Sequence, residues 1–231
     1  MKDIPLIEIA EMWHIGSLDP SLSDPTSFEG CLLSVSTCPD TWQRVARLSG
    51  PLWKLSNPNA SYLNAHVALE NAKFKQQMLD WAHKRGLVDF KTVVKVSEFD
   101  DEMDANLTFS FDSYEDAEEE FDMDELQYTL EQECPVMTDK ALEDYSLHRN
   151  GIQYSLDYIL IDWARQVLCP SDENIKGIYW ADAMDPSRLS APRGGIFPDM
   201  MDHFELQREE MTMSEIEEMH WGESSDSGYH P

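Results

Sequence analysis

The sequence predicts an α+β fold: a mixed or antiparallel central sheet with helices packed on it. Three observations carry this. Short apolar or alternating runs suited to strands are scattered among helical segments without regular βαβ alternation, which argues against a doubly wound parallel sheet. Two segments, Ala68–Arg85 and Ile152–Leu168, carry apolar residues at helical spacing. Hydrophobic residues make up 42% of a 231-residue chain, enough to fill the core of one main domain over residues 1–208.

Each element follows from local chemistry. Leu6–Ser17 reads as one or two strands ending in Trp13-His14-Ile15-Gly16-Ser17. Leu18–Gly30, with two Asp-Pro steps among serines and threonines, reads as a loop. Cys31–Ser36 is a short apolar run and a buried strand. Thr37 or Asp40 can cap the helix that follows, and Pro39 suits its first turn. Trp42, Val45, Ala46 and Leu48 recur at helical spacing until Gly50-Pro51 stops them. Pro51–Leu55 is a strand and Asn57–Asn59 a turn.

In Ala68–Arg85 the apolar stripe includes Leu69, Ala72, Met78, Leu79 and Ala82, with Gly86 as the C-cap. Phe90–Phe99 and Leu107–Phe111 alternate on either side of the acidic turn Asp100–Asp104, the pattern of a hairpin with a charged tip. Ser113 caps a short acidic helix, Tyr114–Phe121. Glu125–Cys134 fits strand or helix equally. In Ile152–Leu168, Ile159, Leu160, Trp163 and Val167 face a core. Ile175–Trp180 is a strand, and Ser190–Phe197 is a turn leading into another. Residues 209–231 form an acidic tail expected to be disordered.

Charge narrows the partners. The formal net charge is -28, and no lysine or arginine occurs from Val96 to Asp139. Fourteen of the twenty-eight residues in Glu98–Glu125 are aspartate or glutamate. Such a field repels nucleic acid and anionic membranes and attracts basic protein surfaces. The four cysteines make no CxxC pair and the seven histidines are scattered, so no metal site is expected. Asp100–Asp112 lacks the central glycine and the terminal glutamate spacing of a calcium loop. Reduced thiols, the acids within MKDIPLIEIAEMW and the lack of a long apolar run predict a cytoplasmic protein with neither signal peptide nor membrane span. Phosphate loops and the common hydrolase and metalloprotease motifs are absent.

Three short segments suggest chemistry. His14 stands in Trp-His-Ile-Gly-Ser at a strand end, Leu33-Ser34-Val35-Ser36 precedes the helix at Pro39, and Gly177-Ile178-Tyr179-Trp180-Ala181-Asp182 forms a late strand. Together these resemble the motifs of ADP-ribosyltransferase-like proteins. The resemblance implies NAD as cofactor, with His14, Ser36 and Asp182 as catalytic residues. His14 would orient the nicotinamide ribose, Ser36 would line the pocket, and Asp182 would polarise the ribose. Gly16, Ser17 and Ser34 would let the dinucleotide approach. The acid is an aspartate here, Asp182 or Asp185. Arg193, in Pro-Arg-Gly-Gly, suits a phosphate, because a guanidinium stands beside exposed backbone N–H groups. Plainer roles stand beside these: a satisfied half-buried histidine, serines at a strand edge, turn aspartates, and an arginine answering the protein's own acids.

The acidic stretch offers a second function class, a non-enzymatic inhibitor that binds a basic, nucleic-acid-handling protein. Its candidate contacts are Glu98, Asp100, Asp101, Glu102 and Asp104 on the hairpin, and Glu115, Asp116, Glu118, Glu119 and Glu120 on the helix. A nucleic-acid mimic needs acids ordered on a rigid frame, since duplex DNA carries one charge per roughly 1.7 Å of axis. Phe99, Leu107, Phe109 and Phe111 can anchor such a frame. A solvated face with no specific partner is the plain alternative.

Overall fold

The computed structural model describes residues 4–19, 32–100, 105–121, 128–148, 152–182, 191–210 and 215, and the side chains of 98–100, 105–106 and 128–130 are outside that description. The fold is α+β, with one mixed and two antiparallel sheets. The chain forms two compact units, Met1–Lys75 with Ala164–Pro231, and Gln76–Trp163. The sequence expectation of one domain over 1–208 spans both. The chain enters the second unit within one helix and leaves it at the end of another, so no linker composition marks either crossing.

The first unit holds two sheets. Strands β1 (Leu6–Glu8), β3 (Leu33–Val35), β5 (Ser61–Asn64), β9 (Ile175–Trp180) and β10 (Arg193–Ile196) form a five-stranded sheet in the order β1-β5-β9-β10-β3. Only the β5–β9 pairing is parallel. Strands β2 (Glu11–Ile15), β4 (Leu52–Ser56) and β11 (Glu205–Glu209) form an antiparallel sheet with β4 central. Met12 and Leu55 from the small sheet meet Val35, Tyr62, Tyr179 and Ile196 from the large one in a shared core. Burying apolar faces from both sheets against each other is what holds this unit together.

Two glycines fix its detail. A Cβ on Gly177 would lie 1.9 Å from the carbonyl oxygen of Gly195, so β9 and β10 approach as closely as they do only because Gly177 has no side chain. Gly16 ends β2 with φ +128°, a conformation open to glycine alone among ordinary residues.

The second unit is built on the antiparallel sheet β7 (Ala105–Phe111), β6 (Val88–Asp100) and β8 (Tyr128–Met137), with β6 in the middle. The hairpin reading of β6 and β7 matches this sheet, and the ambiguous Glu125–Cys134 is largely strand. Register sets Val94 opposite Phe111 and Val96 opposite Phe109. Helix α4 (Tyr114–Glu120) lays Ala117 on that surface, in a cluster with Val94, Val96, Phe111 and Phe121. Ser113 caps it as expected, accepting a hydrogen bond from Asp116 N at 3.1 Å.

Several expected elements change shape. Helix α1 (Pro39–Ala46) has Pro39 in its first turn, but its N-cap is Cys38, which makes no side-chain cap bond. Neither Thr37 nor Asp40 caps it. Ala68–Arg85 is two helices, α2 (Ala65–Glu70) and α3 (Ala72–Lys84), because Asn71 turns extended and accepts a hydrogen bond from Phe74 N. Ile152–Leu168 is a 3₁₀ turn (Ile152–Tyr154), α6 (Asp157–Trp163) and a π-helical stretch (Ala164–Leu168). Strands β5 and β11 and helix α5 (Asp139–Asp144) have no counterpart in the sequence expectations. Most of the expected tail after Glu210, the loop tip 101–104 and Asp185 lie outside the described residues. No described helix is long and apolar enough to cross a membrane.

Candidate functional site

Two regions gather the residues singled out by sequence. The first lies in the first unit, around β2, β3 and the facing ends of β9 and β10. His14 is buried on β2, with Nδ1 2.7 Å from the Ser34 carbonyl oxygen and Nε2 3.0 Å from that of Ser17. A neutral imidazole carries one N–H and so can donate to only one of these acceptors at a time. Either way both nitrogens face backbone, and a ribose hydroxyl would have to displace a carbonyl to reach one. Gly16 N donates to Pro51 O at 2.9 Å, and Gly16 O accepts from Trp53 Nε1 at 3.1 Å. His14, Gly16, Ser17 and Ser34 thus tie the β2 turn to β3 and β4.

Ser36 is fully buried, and its backbone forms a two-bond bridge with Trp13. Its hydroxyl donates to Pro192 O and accepts from Cys38 N. Both ends of the hydroxyl are used in joining β3 to the residue before β10. The Ser34 hydroxyl is buried without a hydrogen-bond partner.

Asp182 follows β9, where it receives Arg193 Nε at 3.1 Å and lies 2.9 Å from His66 Nε2. The Arg193 guanidinium also sits 5.4 Å from the centre of the Trp180 ring. The structure therefore brings Asp182 and Arg193 together and adds His66, at the start of α2, which no sequence pattern marked. His14 is not among the hydrogen-bond partners of Asp182. Close by, Tyr179 OH and Thr37 Oγ1 are 3.1 Å apart. Burial pushes the Tyr179 phenol up, with Cys38 and Asp182 adding to the rise and the Thr37 bond opposing it. Burial likewise raises the Cys38 thiol, against the Thr37 bond and with Asp40, which makes it a poor nucleophile.

The second region lies on the second unit. Glu115, Asp116, Glu118, Glu119 and Glu120 are all exposed on α4 around the buried Ala117. Ser113 Oγ donates to Asp116 Oδ2 at 2.8 Å, and no described cation pairs with any of these five acids. Twenty-three acids face six lysines and arginines within Gln76–Trp163, so the chain's charge is concentrated here. Of the hairpin acids, Glu98 and Asp100 lie on β6 with their side chains undescribed, while Asp101, Glu102 and Asp104 lie outside the described residues.

A cavity of about 520 Å³ opens between β7, α4 and the 3₁₀ turn. Asp112, Asp116 and Glu120 supply carboxylates, and Phe109, Phe111 and Tyr154 supply rings. Tyr154 OH donates to Asp112 Oδ1 at 2.9 Å. Gln153, 6% exposed, is one of the wall residues, and its Oε1 is buried away from the open space without a hydrogen-bond partner. Sequence reasoning missed Gln153, which differs from its apolar neighbours only in being polar.

Comparison with protein-family models, curated proteins and solved structures finds no match. Among the described residues, no cluster of three or more His, Cys, Asp or Glu side chains suits a metal ion. Cys38, Cys134 and Cys169 are free thiols. Carboxylates gathered on one face with no described basic counterpart can attract, orient and hold cations. The Asp182 cluster, with its charges already paired, can do so only by breaking its own bonds.

Proposed function

We propose that this chain is a binding protein that docks a basic surface of a nucleic-acid-handling protein through the acidic face of its second unit. The observation that carries this is the seating of α4. Ala117 fixes the helix on Val94, Val96 and Phe111, while Glu115, Glu118, Glu119 and Glu120 are exposed with no described cation beside them. Carboxylates carried by a helix seated on an apolar frame repeat negative charge at intervals set by the backbone, the feature they share with a phosphate backbone. A solvated face needs none of that order. The expected partner is cationic protein rather than nucleic acid or membrane, and an inhibitory role in the cytoplasm fits such docking.

The test is competition. A lysine- and arginine-rich DNA-binding domain is loaded with a labelled duplex, and the full chain is added at low ionic strength. Release of the duplex, reversed by added salt, supports the reading; a duplex that stays bound at saturating chain counts against it.

A second reading rests on one observation, the meeting of Asp182, Arg193 and His66 beyond β9. A carboxylate beside a guanidinium and an imidazole is suited to a nucleotide, and the resemblance to ADP-ribosyltransferases would make that nucleotide NAD. The reading requires His14 and Ser36 to act from positions where their polar atoms are engaged by the backbone. Transfer of label from NAD to protein in a lysate, lost in Asp182→Asn, would revive it.

A further inference from the structure

We infer that the outer edge of β7 receives an extended segment of the docked partner, which joins the sheet as a fourth strand and carries lysine or arginine at every second position. The inference rests on the docking reading above and gives it a backbone anchor. β7 ends the sheet order β7-β6-β8, so one side of its backbone pairs with β6 and the other has no described strand beside it. Thr108, Phe109, Ser110, Phe111 and Asp112 all line the cavity of about 520 Å³, although successive side chains of a strand point to opposite faces. Open space that touches five residues in a row runs along the edge of the strand, not over one face.

Unpaired edges attract further strands, and folded proteins blunt them with charge, proline, bulges or short length. Among the described strands, the other sheet ends are protected. β1 has three residues and ends in Glu8, β11 carries Glu205, Arg208 and Glu209, and β8 carries Glu131, Glu133 and Pro135. β2 and β3 are bridged to each other through Trp13 and Ser36. β7, Ala-Asn-Leu-Thr-Phe-Ser-Phe, has no charge, proline or glycine, and its register with β6 runs unbroken over seven pairs. Phe109 is 37% exposed there. A flat, uncharged edge with an exposed ring suits an added strand, whose main chain supplies the missing hydrogen-bond partners.

Charge chooses the occupant. Phe109 and Phe111 lie on the α4 side of the sheet against Phe121, and Asp116 and Glu120 of α4 line the cavity. On the other side Thr108 bonds Ser97, and Ser110 stands opposite Lys95. An added strand therefore sets alternate side chains beside carboxylates and the rest beside hydroxyls, which fits lysine or arginine alternating with a small polar residue. A second copy pairing edge to edge would bring its own Asp116 and Glu120 to the same groove, against like charge.

The test uses the full chain and a labelled peptide of alternating lysine and threonine, followed by fluorescence anisotropy at fixed low salt. Two further peptides are N-methylated, one on every lysine amide and one on every threonine amide. In a paired strand the N–H groups of alternate residues point to the same side, so only one set reaches β7. One pattern is expected to weaken binding about thirtyfold, and the other to leave it within about twofold. Amide hydrogen exchange gives a second readout: alternate amides of Leu107–Phe111 slow on binding, while those already bonded to β6 do not change. Equal effects of the two methylation patterns, unchanged exchange in β7, or a peptide that does not bind while a basic DNA-binding domain is still captured would overturn the edge site and leave the docking reading standing. Protection of β7 that appears with chain concentration alone would give the edge to a second copy and overturn the cationic occupant. If neither the peptide nor the domain binds, both readings fall.

Discussion

The cluster beyond β9 and the face of α4 are both rich in charge, but they are built to opposite plans. In the first, polar groups answer one another: Asp182 takes Arg193 and His66, Ser36 takes Pro192 O and Cys38 N, and His14 faces two carbonyls. In the second, Glu115, Glu118, Glu119 and Glu120 have no described cation; a buried oxygen without a partner does not separate the regions, since Ser34 has one in the first and Gln153 in the second. Internal pairing stabilises a fold and leaves little for a ligand. Unanswered charge destabilises the compact state through self-repulsion and leaves its carboxylates open to solvent or to a partner's cations. The conspicuous residues of the first region are thus mostly engaged in architecture, and the plain acids of the second are the ones left open to a partner, as the docking proposal requires.

The comparison can be broken by substitution. Ser36→Ala should have the largest effect on stability, about 2 kcal/mol by urea denaturation, because it leaves Cys38 N and Pro192 O short of a partner inside the protein. A loss near zero would show that the buried hydroxyl is not holding β3 to β10. High pH should act next. Burial lifts the Cys169 thiol from 9.0 to about 11 and raises the Tyr62 and Tyr179 phenols. The folded state thus holds these protons more tightly than the unfolded chain. Stability from Cys169 is complete below pH 9 and is lost as pH rises towards 11. Denaturation midpoints that stay level across that window would contradict this sign. Asp182→Asn should cost about 1 kcal/mol, since the pair with Arg193 is only partly screened from water and His66 is more exposed still.

How much of this could be read beforehand differs between the two regions. The hairpin and α4 were legible, because alternation in Phe90–Phe99 and Leu107–Phe111 and the Ser113 cap are local signals. The Asp182–Arg193 pair was half legible: each residue stood out, but their meeting depends on the β9–β10 pairing, in which Trp180 lies opposite Arg193. His66 and Gln153 were not legible. Their roles arise where segments distant in sequence meet, and neither carries a local motif. The break at Asn71 was missed because the apolar stripe of Ala68–Arg85 continues through it. Asparagine caps a helix only when the chain turns there, and periodicity does not report that turn. Missing β5 and β11 has a similar cause, since Ser61–Asn64 and Glu205–Glu209 pair with strands remote in the chain.

A smaller effect sharpens the same contrast. Uncompensated acids repel one another, so the melting temperature should rise by about a few degrees between low and moderate salt. Replacing Glu115, Glu118, Glu119 and Glu120 with glutamine should flatten that rise without lowering stability at low salt. A melting temperature indifferent to salt in the parent chain would mean that the acids are already neutralised within the molecule.

The central claim is that the α4 face is the docking surface, and the most direct measurement is the salt dependence of capture. Dissociation constants for a basic DNA-binding domain are measured across a salt series for the parent chain and for the four-glutamine variant. The account predicts a steep weakening with salt for the parent, and for the variant about thirtyfold weaker binding at low salt with a shallower slope. Two superimposable curves would contradict it, because a surface that loses four carboxylates without changing its attraction to a cation is not the interface.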